Sequence, residues 1–152
     1  MKQANTSLIL IIPSASYRTS PFMASVSKLE LKVLVLTDKS QVFSEYYPDN
    51  VITMNFEDWQ SHIENIREWS VKHDLKAVIG VDEESIVLAA KLSELLGLKH
   101  NSLESVKLTK DKYLMRKALK DFGLKSQWFK RFSVHQAMEE LLTEISFPCI
   151  LK

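Results

Sequence analysis

The stretch "SLILIIP", Ser7–Pro13, decides the fold. Five consecutive aliphatic residues, Leu8 to Ile12, show no polar alternation and stop at a proline. A strand with one wet face alternates apolar and polar residues, whereas a strand covered on both faces reads as an unbroken apolar run. The run is far shorter than the roughly 20 apolar residues a membrane-spanning helix needs, so neither a span nor a signal peptide is expected. "LKVLVLTD", Leu31–Asp38, has the same character and is expected to be a second buried strand.

Working outward, "PSASYRTSP" separates the two strands. Thr19 or Ser20 can cap a helix that begins at Pro21, where a missing amide costs nothing, and runs to about Lys28. "DNVITMNF" reads as a third, shorter strand. In "EDWQSHIENIREWSVKH", Trp59, Ile63, Ile66 and Trp69 recur at helical spacing, so both tryptophans are expected to pack on the core. "LKAVIGVD" is a fourth strand. "EESIVLAAKLSELLGL" is a helix with Ile86, Ala89, Ala90 and Leu92 inward and Gly97 as its stop. Alternating strands and helices predict an open, mostly parallel, doubly wound α/β sheet over residues 1–100. Sites in such sheets lie beyond the carboxyl ends of the strands. Those ends carry Pro13-Ser14-Ala15-Ser16, Asp38-Lys39-Ser40 and Asp82-Glu83-Glu84-Ser85.

Residues 101–152 read differently. "HNSLESVKL" suits a short helix, and "TKDKYLMRKALKDFG" a longer one with Thr109 as cap and Gly123 as stop. "SQWFKRF" alternates like a strand exposed on one face, "SVHQAMEELLTEI" reads as a serine-capped helix, and "FPCILK" as a last strand.

Composition excludes several functions. A formal net charge of +1 supplies no basic face for nucleic acid and no attraction to an anionic membrane. Cys149 is the only cysteine, which rules out an internal disulfide and a two-cysteine metal motif and fits a reducing cytoplasm. His62, His73, His100 and His135 lack ligand spacing, and no metal site is expected from them. A dinucleotide site needs glycines in the first strand-to-helix turn, but "PSASYR" holds none. A phosphoacceptor domain needs acids at the end of the first strand, where Ile12-Pro13 stands.

Lys112 is placed in the first turn of its helix, beside the positive end of the dipole, where a cation is unfavourable by about 0.3–1 kcal/mol. It is either a solvated residue or, with Lys110 and the free amides, part of a phosphate site. Lys152, at the end of an apolar strand, either snorkels to water or points at an anion. Asp82, Glu83 and Glu84 suit a carboxylate-rich helix start, which the dipole favours.

The segments "GVDEESIVLAAKLSELLGLKHNS", "SLESVKLTKDKYLMRKALKDFGL" and "FPCILK" resemble the opening of the ATP-grasp carboxylate–amine ligases, among them amino-acid ligases and the formate-dependent glycinamide ribonucleotide transformylase. The family pattern has a basic residue in a "DK" context entering a helix. About forty residues later comes a strand of proline, any residue, two aliphatics and lysine. The resemblance implies a Rossmann-like pre-ATP-grasp domain over residues 1–100 and the beginning of an incomplete α+β ATP-grasp domain over 101–152. It implies that Lys112 and Lys152 contact ATP phosphates, and that Glu83, with Asp82 beside it, holds substrate. It also implies a parent enzyme that forms an acylphosphate with ATP and Mg2+, joins a carboxylate to an amine and releases ADP. The family's magnesium carboxylates and glycine-rich flap lie downstream of such a segment. The chain is therefore expected to be cut from a longer protein, to hold no catalytic or metal residues, to bind no cofactor stably and to be inactive alone. Its exposed C-terminal strands would then suit a homodimer. "PSASYR" departs from the family's glycine-bearing first turn. Two rivals stay open: a non-catalytic α/β module that binds a small molecule or a protein, and a small-molecule enzyme of another doubly wound type.

Overall fold

A computed structural model describes residues 6–39 and 50–151. The chain divides into two compact units, Met1–Lys110 and Asp111–Lys152.

In the first unit, β1 (Thr6–Ile11), β2 (Lys32–Thr37), β3 (Val51–Thr53) and β4 (Asp74–Gly80) form one sheet in the order β3-β2-β1-β4. Every pairing is parallel: Ile9 lies opposite Leu34 on one side and Val78 on the other. The continuous apolar run of β1 has the expected cause. Ile9 and Ile11 pack into a core with Leu34, Leu36, Ile66, Leu88 and Leu92, while Leu10 and Ile12 face the opposite way, against Val26, Val33, Val35 and Val81. Helix α1 (Thr19–Leu29) therefore covers one face, and α2 (Ile63–Lys72) and α3 (Ile86–Leu95) cover the other. Each fully buried aliphatic side chain contributes about 1.5–3 kcal/mol, and those of Ile9, Ile11, Ile12 and Leu36 are wholly inaccessible to water.

Details differ from expectation. Helix α1 begins at Thr19 rather than Pro21, with Arg18 at its cap position and the Thr19 hydroxyl donating to the Ser16 carbonyl. The segment expected to be one helix after β3 opens with 3-10 turns over Phe56–His62, bent at Asp58, before α2. Asn55 starts it by accepting the Glu57 amide. Trp59 and Trp69 pack on the core as expected. Helix α4 (Leu103–Lys110) follows α3 and packs against it.

In the second unit, the described residues form α5 (Lys112–Asp121) and α6 (Met138–Glu144). Two expectations are corrected here. Residues 126–132 and 147–151 are not strands, because none of the described backbone pairs with them. Alternation prepares a face for burial, but a strand exists only when its amides and carbonyls meet a neighbour's. The helix expected from Ser133 begins at Met138, and the Ser133 oxygen instead accepts the His135 amide in a turn.

Candidate functional site

The chain order defines where the first unit can hold a ligand. From β1 the chain passes through α1 to β2 and on to β3, then crosses back to place β4 on the other side of β1. Helices thus leave the carboxyl ends of β1 and β4 toward opposite faces, which opens a crevice between those ends. An open pocket of about 450 Å³ lies there, lined by Pro13, Ala15, Ser16, Tyr17 and Arg18 after β1 and by Asp82, Glu83 and Glu84 after β4.

Its two walls are held locally. Behind β4, the buried Ser85 hydroxyl accepts the Asp82 amide at 3.1 Å and donates to the Asp82 carbonyl at 2.8 Å, closing the turn that presents the acids. Gly80 lets this turn fold back on β4: a Cβ there would stand 2.7 Å from the Ser85 carbonyl carbon and 2.8 Å from the Ile86 backbone. Behind β1, the Ser14 amide and hydroxyl donate to the Asp38 carboxylate at 2.5 and 3.0 Å, tying the ends of β1 and β2 together. Partial burial pushes the Asp38 carboxyl up, but the Ser14 amide and hydroxyl outweigh it and leave the group below its ordinary value.

Across the pocket, Arg18 Nε stands 3.7 Å from Asp82 Oδ1, and Arg18 Nη1 donates to the Val81 carbonyl at 3.4 Å. The guanidinium also donates to the Tyr17 hydroxyl at 3.2 Å. The Asp82 side chain is 22% exposed and that of Arg18 49%. The structure thus brings together Asp82 and Glu83, both singled out from sequence, and adds Arg18, which was not. A fixed cation facing three carboxylates suits a molecule carrying both signs of charge.

The second unit holds Lys112, the first residue of α5. The cap of this helix is Asp111 and not Thr109. Asp111 Oδ1 accepts the Tyr113 amide at 2.9 Å and the Leu114 amide at 3.0 Å, while the Thr109 hydroxyl donates to the Val106 carbonyl inside α4. The Tyr113 and Leu114 amides, two of the donors at the start of α5, are therefore occupied by Asp111. Arg131 Nη2 donates to both Asp111 oxygens, at 2.8 and 2.6 Å, and its guanidinium lies 4.4 Å from the centre of the Tyr113 ring. The Leu114 amide and then Arg131 hold the Asp111 carboxyl below its ordinary value. Lys152 lies outside the described residues. Among the described residues no group of three His, Cys, Asp or Glu side chains gathers to hold a metal ion, and no helix is long and apolar enough to cross a membrane.

No protein-family model matches the chain, and neither does any of the curated proteins. Solved structures do. An L-amino acid ligase from Bacillus licheniformis superposes with a TM-score of 0.67 at 20% identity, over 98% of this chain. A phosphoribosylglycinamide synthetase from Anaerococcus prevotii superposes with a TM-score of 0.59 at 15% identity, over 94% of this chain. In each case the chain spans 36% of the matched protein's length. At these identities the likeness is one of fold: an α/β fold built on a four-stranded parallel sheet.

Proposed function

We propose that this chain is the opening part of an ATP-dependent, ADP-forming carboxylate–amine ligase. Residues 1–100 are its pre-ATP-grasp domain and residues 101–152 the beginning of its ATP-grasp domain. The observation that carries the reading is the likeness in fold to a ligase over 98% of the chain. The "DK" pair at Asp111-Lys112, with Lys112 entering α5, supports it.

In this reading Lys112 and Lys152 hold phosphate oxygens of ATP. A substrate carboxylate attacks the γ-phosphorus and ADP leaves. The amine nitrogen then attacks the acyl carbon, loses a proton and displaces phosphate. The lysines hold the negative charge that shifts between oxygens during the first step. In the pocket beyond β1 and β4, Asp82 and Glu83 take the ammonium of an amphoteric substrate and Arg18 its anionic group. Among the described residues no three His, Cys, Asp or Glu side chains gather as ligands for magnesium. We place the remaining chemistry in the part of the ligase that this chain does not span, so the chain alone is expected to be inactive. We place the protein in the cytoplasm.

Incubating the full-length protein with ATP, Mg2+ and a panel of amino acids and other carboxylates tests the reading. ADP and phosphate released in step with amide product, and a hydroxamate when hydroxylamine replaces the amine, are expected. AMP and pyrophosphate as products would contradict it. ATP affinity with no turnover on any panel member would favour the non-catalytic binding module.

A further inference from the structure

Lys112 is flanked in sequence by Asp111 and Tyr113, and Arg131 grips both neighbours. One guanidinium nitrogen donates to both oxygens of Asp111, and the guanidinium plane lies over the Tyr113 ring at 4.4 Å. Asp111 passes this constraint into the helix by accepting the Tyr113 and Leu114 amides. Tyr113 is braced in turn by Phe129, whose ring meets it edge-on with centroids 5.6 Å apart. The residues on both sides of Lys112 are therefore tied to Arg131, which lies twenty positions after Asp111.

An arginine suits this task for a physical reason. Its planar fork can meet a carboxylate and an aromatic face together, which an ammonium cannot do with the same geometry. The first turn of a helix is where fraying is ordinarily greatest, and a lysine side chain carries much rotamer freedom that ligand binding must restrain. A brace that removes backbone freedom at residues 111–113 lowers the ordering cost left for the ligand to meet.

We propose that Arg131 is a positioning residue for Lys112, holding the start of α5 so that the Lys112 ammonium is presented to the phosphates of a nucleoside triphosphate. The proposal rests on the nucleotide reading given above and adds to it a residue with no direct phosphate contact. Its signature is coupling: Arg131 matters to the nucleotide only while Lys112 is present.

Calorimetric titration of the full-length protein with ATP, on the wild type, Lys112→Ala, Arg131→Ala, Arg131→Lys and the double variant Lys112→Ala/Arg131→Ala, tests this. Arg131→Ala is expected to weaken ATP binding about tenfold, Arg131→Lys about threefold, and the double variant no further than Lys112→Ala alone. Far-UV circular dichroism checks that each variant keeps its helix content. Should Arg131→Ala lose it, the Arg131→Lys result decides, and wild-type affinity in that variant overturns the proposal. Loss of affinity in Lys112→Ala with wild-type affinity in both Arg131 variants overturns the positioning role and leaves the nucleotide reading standing. Equal losses from Arg131→Ala in the presence and absence of Lys112 also overturn it, since the residue would then act on the structure at large. Wild-type affinity in Lys112→Ala overturns the nucleotide reading of that lysine, and the proposal with it.

Discussion

The Ser85 hydroxyl is bonded twice to Asp82, accepting its amide and donating to its carbonyl, and it is fully buried while doing so. Replacing Ser85 with alanine removes both bonds and leaves the Asp82 amide to find water, while the Asp82 carbonyl keeps the residue-85 amide at 3.0 Å. The cost of unpaired buried polar groups is about 1–3 kcal/mol. Urea unfolding of Ser85→Ala is expected to show a loss in that range with an unchanged m-value. A midpoint equal to wild type would mean that water replaces the hydroxyl freely and that the turn is not held by it.

Gly80 belongs to the same construction. Its φ is ordinary, so conformation does not demand glycine; the space does. A Cβ 2.7–2.8 Å from the backbone of Ser85 and Ile86 forces α3 away from β4. Overpacking of this kind costs about 1–3 kcal/mol. Gly80→Ala should lower the unfolding midpoint and weaken binding of the proposed substrate at Asp82 and Glu83. A variant as stable as wild type would show that the turn has slack.

The sheet was legible because burial on both faces writes itself into β1 and β2 as unbroken aliphatic runs. The tryptophans of the crossover were legible from their spacing. The cap of α5 was not: Thr109 and Asp111 are both capable caps two residues apart, and only the structure shows the threonine hydroxyl turned back to Val106 in α4. Nor was the absence of strands at residues 126–132 and 147–151, because alternation says nothing about whether a partner strand is present. Within the candidate site, Asp82 and Glu83 could be reached from the end of a predicted strand. Arg18 could not, since it acquires its partners only when the crossover sets β4 beside β1. Arg131 carried no signal for the same reason; its partners lie twenty residues back.

Acid should loosen two places at once. Asp38 and Asp111 both have folded-state carboxyls below the ordinary value of 3.8. The unfolded chain therefore takes up these protons more readily than the folded one. Their contribution is complete above about pH 4 and is lost as the pH falls through the lower, folded values. Asp38→Asn should flatten the acid limb of the stability curve in the first unit, and Asp111→Asn should do so in the second. Acid unfolding followed by residue-resolved NMR checks this, and variants with the wild-type acid limb would show that these bonds carry no pH dependence.

The apolar surface of the second unit should be visible in solution. Trp128 is 54% exposed, Phe147 71% and Ile150 85%, and exposed apolar side chains that gather into a patch recruit a partner. We expect this chain to self-associate through residues 127–151, and amide exchange there to be faster than in β1–β4 when the chain is dilute. Light scattering that reports a monomer at high concentration, with exchange in residues 127–151 as slow as in the sheet, would contradict both.

In the proposed ligase, Lys112 and Lys152 lie against the phosphates of ATP. A mixed anhydride of ATP, carrying a tagged acyl group on its terminal phosphate, transfers that group to whichever lysine amine stands beside the phosphates. Peptide mass spectrometry after brief exposure of the full-length protein then reads the site directly. Labelling is expected to concentrate on Lys112 and Lys152, to be suppressed by excess ATP and to be lost at each position on substitution by arginine. Labelling spread over the surface lysines and indifferent to ATP would contradict it.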